Sequence, residues 1–185
     1  MTPSPANGAV RLRDAGQADA ARIAELHALS WRHAYRGALS EEFLAGDIVA
    51  DRRALWHGRL SAPAPGQCVV VADAGGPLLG FGCVQTGADA RWGTLLDNLH
   101  VLPSHHRGGI GRRLLGRLAE WAQARAPGDG LFLWVLQSNT AAQSFYRRLG
   151  AQEAGCDVWH PPGGGVVPRF RMAWSLPAPL LMDAG

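Results

Sequence analysis

The residues best suited to chemistry form one short stretch, Pro103-Ser104-His105-His106-Arg107-Gly108-Gly109-Ile110-Gly111. An apolar, strand-like run from Thr94 to Val101 leads into it, and a helical pattern starts directly after it. Gly108, Gly109 and Gly111 carry no side chain, so a ligand can approach their backbone closely. The first N–H groups of a helix have no internal partner, and with the helix dipole they form an anion cradle. The dipole contributes only about 0.3–1 kcal/mol per charge, so several N–H bonds must share the binding. Arg107, Arg112, Arg113 and Arg117 add positive charge at this mouth. A diphosphate suits such a cradle. The dinucleotide fingerprint G-x-G-x-x-G is not met, because Gly109-Ile110-Gly111 runs on into Arg112-Arg113-Leu114. The competing reading is a glycine turn before an arginine-rich surface helix.

Elements on both sides must hold this loop. Ala20, Ile23, Ala24, Leu26, His27 and Trp31 recur at helical spacing and predict a helix from Gln17 to about Tyr35. Ser40 to Phe43 reads as a helix start, and 51–60 as a second short helix. Strands are predicted at 10–13, 68–72, 79–85, 94–101 and 131–136, with a last pair around 152–159 and 166–174. Residues 87–93 read as a polar loop. Leu114, Leu115, Leu118, Trp121 and Ala122 mark a helix to about Arg125, and Asn139 to Leu149 a further helix closed by Gly150. Strands meet helices in the middle and hairpins at the ends, which predicts an α/β chain with one mixed sheet and helices on both faces. Residues 1–8 read as a loose tail, 9–175 as a single domain and 176–185 as a second tail.

Composition removes several classes of chemistry. The chain has 185 residues, and all 18 of its Lys+Arg residues are arginine. Without lysine there is no Walker-type phosphate loop, no lysine Schiff base and no lysine nucleophile. The net charge of +3 suits an anionic ligand and gives no nucleic-acid signature. Cys68, Cys83 and Cys156 lie far apart with no C-x-x-C pair, so they read as free thiols, with no metal site. No serine stands in a G-x-S-x-G elbow. No apolar run approaches the roughly 20 residues of a membrane span. The opening residues lack a basic start followed by an apolar stretch, so a cytoplasmic protein is expected.

Two stretches carry a resemblance. Val101-Leu102-Pro103 followed by His106-Arg107-Gly108-Gly109-Ile110-Gly111 is similar to the V-x-P and [QR]-x-x-G-x-[GA] signature of the Gcn5-related N-acetyltransferases (GNAT). Asn139-Thr140-Ala141-Ala142-Gln143-Ser144-Phe145-Tyr146-Arg147-Arg148-Leu149-Gly150 resembles that family's N-x-x-A-x-x-F-Y-x-x-x-G motif. Both occur in the family's order, and the resemblance covers roughly 9–175. It implies a GNAT-like fold: a mostly antiparallel, seven-stranded mixed sheet with strands four and five splayed. It also implies an acyl-CoA-dependent N-acyltransferase, with acetyl-CoA as acetyl donor and no metal. The backbone of Leu99, His100 and Val101 would pair with the pantetheine arm. The loop His106, Arg107, Gly108, Gly109, Ile110, Gly111 and Arg112 would hold the pyrophosphate. Asn139 would contact the cofactor, and Tyr146 would sit by the sulfur and protonate the leaving thiolate. His106 stands where the family carries Gln or Arg, and Ala151 where it carries Phe.

The resemblance also bears on the base and the acceptor. Some members carry a Glu five residues before the motif Asn; here that position is Trp134, which cannot take a proton. Asp97 matches another site used for the base, with His100 as second candidate. The family's acceptor site lies between the first helices and the last hairpin. There Trp31, Tyr35 and Trp159 would line an aromatic pocket, although Trp31 reads equally as core. Arg32 and Arg36 would suit an acceptor bearing a carboxylate. The expected partner is a small-molecule or peptide amine, with no nucleic acid and no membrane, acted on by a monomer or homodimer. The alternative is a non-catalytic acyl-CoA-binding sensor or interaction module of the same fold.

Overall fold

The computed structural model describes residues 9–37, 39–46, 48–161, 165–175 and 180. Seven strands form its sheet: β1 (Arg11–Asp14), β2 (Gln67–Asp73), β3 (Gly80–Asp89), β4 (Gly93–Val101), β5 (Leu131–Leu136), β6 (Gln152–Trp159) and β7 (Val167–Trp174). The helices are α1 (Ala20–Ala34), α2 (Glu41–Ala45), α3 (Ile48–Ser61), α4 (Ile110–Arg125) and α5 (Thr140–Arg148). The strand order is β1-β2-β3-β4-β5-β7-β6. β4 and β5 run parallel and every other neighbouring pair antiparallel. This is the fold that the resemblance implies.

Strand alternation builds the layers. In β2, Cys68, Val70 and Ala72 pack with Leu114, Leu115 and Leu118 of α4. Val69 and Val71 turn to the other face, against Ile23 and Ala24 of α1 and Trp56 of α3. Arg13 binds Asp19 and Asp73 at 2.7 Å each, and Arg22 binds Asp73 at 3.0 Å, which ties α1 to the first two strands. Those guanidinium groups hold the Asp73 carboxyl well below the usual carboxylate range.

Among the boundaries that differ from the sequence expectation, α3 begins at Ile48 rather than 51. The first helical segment opens as a short 3-10 turn at Gln17–Asp19 before α1. β3 continues to Asp89 through what reads as polar loop, because the Asp89 carboxylate accepts the N–H groups of Arg91 at 2.8 Å and Trp92 at 2.9 Å and makes the turn itself. At the C-terminal end, Leu180 is buried in the core beside α4, where the sequence suggests only a tail. The rest of that tail and residues 1–8 lie outside the described residues. Among the described residues, no helix is long and apolar enough to cross a membrane.

The feature that matters for function is the opening between β4 and β5. They pair only at Thr94↔Leu131 and Leu95↔Phe132. On the other side of β4, Cys83 faces Asn98 and Val84 faces Leu96, so Asp97 is an extra, bulged residue. A bulge bends its strand and increases the local twist, which here accompanies the parting of β4 from β5. From Leu96 to Val101 the edge of β4 toward β5 has no strand partner among the described residues.

Candidate active site

The open edge of β4 runs directly into the glycine loop. The backbone is left-handed at Arg107 (φ 65°) and at Gly109 (φ 77°). Turns of this kind gather successive N–H groups into an anion-binding concavity. The amides of Arg107, Gly109, Ile110 and Gly111 donate to no acceptor among the described residues, while Arg113 N–H already closes the first α4 turn on the Gly109 carbonyl at 3.0 Å. The His106 ring nitrogen Nε2 lies 2.9 Å from the Val101 carbonyl oxygen. A carbonyl only accepts, so Nε2 carries the proton and clamps the loop to the end of β4. Two of the nearby arginines face away from the loop. Arg113 donates to the Val10 carbonyl at 3.2 Å and Arg117 lies 3.6 Å from Asp14, so both hold the β1 chain.

Across the opening, Asn139 caps α5, its side-chain oxygen accepting the Ala142 N–H at 3.0 Å. Tyr146, further into α5, is buried and packs edge-on to Phe145 at 5.2 Å and to Trp174 at 6.2 Å. Burial, with a smaller contribution from Tyr35, pushes its phenol above the usual range. Tyr146 therefore keeps its proton near neutrality.

The opposite face of the sheet holds a cavity of about 400 Å³. Trp31, Tyr35 and Trp159 stand together in its wall: Trp31 stacks on Tyr35 at 4.8 Å, and Trp159 meets both edge-on at 5.7 Å. Trp31 is thus both core, as one reading of α1 has it, and cavity lining. Asp97 and His100 line the same space from β4, and Trp134 lines it from β5. The Asp97 atom Oδ2 accepts from Arg59 at 2.5 Å and from the Asn98 side-chain amide at 2.7 Å. His100 lies 4.7 Å, ring to ring, from buried His27. Desolvation, then the charge of Arg52, pulls the His100 imidazole down to about 4. The Trp56 indole donates to His27 Nδ1 at 2.9 Å, so the His27 proton sits on Nε2, which has no hydrogen-bond partner among the described residues.

Two expected acceptor contacts stand elsewhere. Arg32 donates through Nε to the Leu44 carbonyl at 2.6 Å and through Nη2 to that of Ala45 at 3.3 Å, closing the end of α2. Arg36 follows the end of α1 in an exposed turn. Neither lines the cavity; Arg52, Arg59 and Arg169 do. A signal for Arg52 exists in the sequence. It sits between Ile48 and Trp56 at i, i+4, i+8, in the buried stripe of α3. A charge in an otherwise apolar stripe marks a site. Arg169 has no comparable signal, since β7 alternates too weakly to show which face is buried.

The family model for the acetyltransferase (GNAT) family matches residues 20–151. The chain belongs to this family. It is an acetyl-CoA-dependent N-acetyltransferase. Probable N-acetyltransferase Rv2775 of Mycobacterium tuberculosis (strain ATCC 25618 / H37Rv) is 28% identical over 174 residues, covering 91% of this chain and 96% of the relative. Streptothricin acetyltransferase of Streptomyces lavendulae is 32% identical over 118 residues, 63% of this chain and 60% of that one. The crystal structure of PaiA N-acetyltransferase from Thermoplasma acidophilum in complex with coenzyme A shares the fold, with a TM-score of 0.70 at 21% identity over 89% of this chain and 98% of that chain.

Proposed function

We propose that this N-acetyltransferase passes the acetyl group of acetyl-CoA directly to an amine of a small molecule or peptide, in a ternary complex. The observation that carries the reading is the continuity of the unpaired β4 edge with a loop of undirected backbone amides, beside a strand opening that leads to a separate aromatic cavity. When bound, acetyl-CoA supplies the thioester carbon that the amine attacks and the thiolate that departs. The residues present fit it. The open edge at Leu99, His100 and Val101 takes the pantetheine arm as an added strand. The amides of Arg107, Gly109, Ile110 and Gly111 take the pyrophosphate. Asn139 spends its side-chain oxygen on the helix cap, which leaves its Nδ2 group for the cofactor.

The chemistry needs one proton removed and one supplied. Neutralising an alkylamine of pKa about 10.4 at pH 7 costs roughly 4–5 kcal/mol. Asp97 takes that proton at Oδ1, directly or through water, since Oδ2 is held by Arg59 and Asn98. Tyr146 delivers the proton of its phenol oxygen to the departing thiolate. Direct transfer is favoured because none of Cys68, Cys83 and Cys156 lines the cavity, and the buried Cys68 and Cys83 thiols are pushed up to about 11 and about 12.

Calorimetric titration with acetyl-CoA, with ADP as control, tests the cofactor half; an amine panel tests the rest. Micromolar binding of acetyl-CoA, much weaker binding of ADP and acetylation of at least one amine are expected. Binding without transfer to any amine would favour the acyl-CoA sensor instead.

A further inference from the structure

We propose that the amine acceptor also bears a carboxylate, held in the cavity by the guanidinium groups of Arg52 and Arg169. This rests on the acetyl-transfer reading above and names the class of substrate. Among the described residues, three guanidinium groups and a single carboxylate, Asp97, line the cavity. Asp97 is already matched by Arg59. The counter-ions of the other two, Asp51 for Arg52 and Asp157 for Arg169, stand outside the lining with side chains 37% and 47% exposed. Exposed carboxylates are screened by water, so the cavity keeps an excess of positive charge.

The two arginines are set up as receptors. Arg52 lies 4.3 Å over the ring of Trp31, and Arg169 lies 4.2 Å over that of Trp134. A guanidinium held over an indole ring loses freedom of orientation and keeps N–H groups for a carboxylate. Asp51 engages Arg52 through Nε and Nη2, and Asp157 engages Arg169 through Nη2, so Nη1 of each has no hydrogen-bond partner among the described residues. The buried imidazoles report the same field. His27 is depressed by desolvation and then by His100, Arg52 and Arg59, with no offsetting acidic group among the described residues. A dicationic acceptor would meet repulsion here. A zwitterion would bring the missing anion, and the same arginines would favour the neutral, nucleophilic form of its amine.

The test uses matched pairs: leucine with leucinamide, and phenylalanine with phenylalaninamide, with 1,5-diaminopentane as the dication. Because amidation lowers the α-amine pKa, rates are expressed per unprotonated amine. The acids should exceed their amides in kcat/KM by about tenfold or more, as expected for a charge-assisted contact, and the diamine should be poorest. Arg169→Gln should bring the acid-to-amide ratio to within about threefold with the acetyl-CoA Kd unchanged, and Arg52→Gln likewise if its melting temperature shows that it folds. A second readout is calorimetry with coenzyme A present, in which N-acetylleucine should bind and its amide should not. Amides or the diamine acetylated as well as the acids would overturn the carboxylate proposal and leave the acetyltransferase reading intact. Acetylation of no amine at all would overturn both.

Discussion

The Pro103–Gly111 loop and the aromatic cavity are built by opposite means. The loop is contiguous in sequence, and its chemistry lies in backbone N–H groups freed by left-handed turns at Arg107 and Gly109. The cavity is assembled from α1, α3, β4, β5, β6 and β7, and its chemistry lies wholly in side chains. A backbone site tolerates changes of side chain but not of φ. A side-chain site tolerates the reverse. One part of the molecule can thus stay fixed for a shared acetyl donor while the other is altered residue by residue for the acceptor.

The largest expected effect tests the backbone half. Gly109→Val forces a β-branched residue into φ near 77°, a conformation that costs about 1–3 kcal/mol. Acetyl-CoA affinity should fall by about tenfold to a hundredfold in calorimetry, because the cradle must distort to relieve the strain. Trp31→Ala, in the cavity, should leave that affinity unchanged and raise KM for the acceptor. A variant that moved both constants together would show that the two sites are not separate.

Tyr146→Phe tests the link between them. Removing one hydroxyl should lower kcat by about tenfold or more with little change in acetyl-CoA affinity, as for loss of a general acid. A rate equal to the parent would remove Tyr146 from the mechanism.

The same contrast explains what can be read without a structure. The loop, the helix closed by Gly150 and the buried run of β5 are legible because each depends on near neighbours in the chain. The parting of β4 from β5 is reached only by resemblance, since a bulge at Asp97 is a matter of register against β3, which no local pattern records. The acceptor arginines are the hardest. Arg32 and Arg36 lie beside Trp31 and Tyr35 in sequence, yet the end of α1 turns them away. Arg52 and Arg169 arrive from elements far along the chain.

A smaller effect concerns stability in the cavity wall. His100 is pulled down to about 4, against about 6.5 when unfolded. Below pH 6.5 the unfolded chain takes up a proton that folded His100 refuses, so stability should decline from pH 6.5 toward 4 and be flat above. The slope is at most about 1.4 kcal/mol per pH unit for one group, less for a ring bordering an open cavity. His27, depressed for the same reason, acts in the same direction. The salt-bridged Asp19 and Asp73 lose their contribution only as the pH falls below the usual carboxylate range, so thermal melts between pH 6.5 and 4.5 isolate the histidines. His100→Asn should make that part of the profile shallower, the remainder being His27.

The smallest expected effect discriminates most sharply. Arg107 is non-glycine yet left-handed at φ 65°, and it belongs to the loop proposed to hold the pyrophosphate. Arg107→Gly removes the charge and relieves the backbone, at an entropic cost of similar size, about 1 kcal/mol in each direction. Arg107→Ala removes the charge and keeps the strain. If the amides do the binding, both variants should hold acetyl-CoA within about threefold of the parent and melt close to it. If the guanidinium itself contacts phosphate, both should lose about tenfold or more, and the parent's affinity should fall more steeply with salt than theirs. Loss in the Ala variant alone would point to a third arrangement, in which Arg107 matters only as the residue that must turn left-handed for Gly109 and the start of α4 to meet the anion.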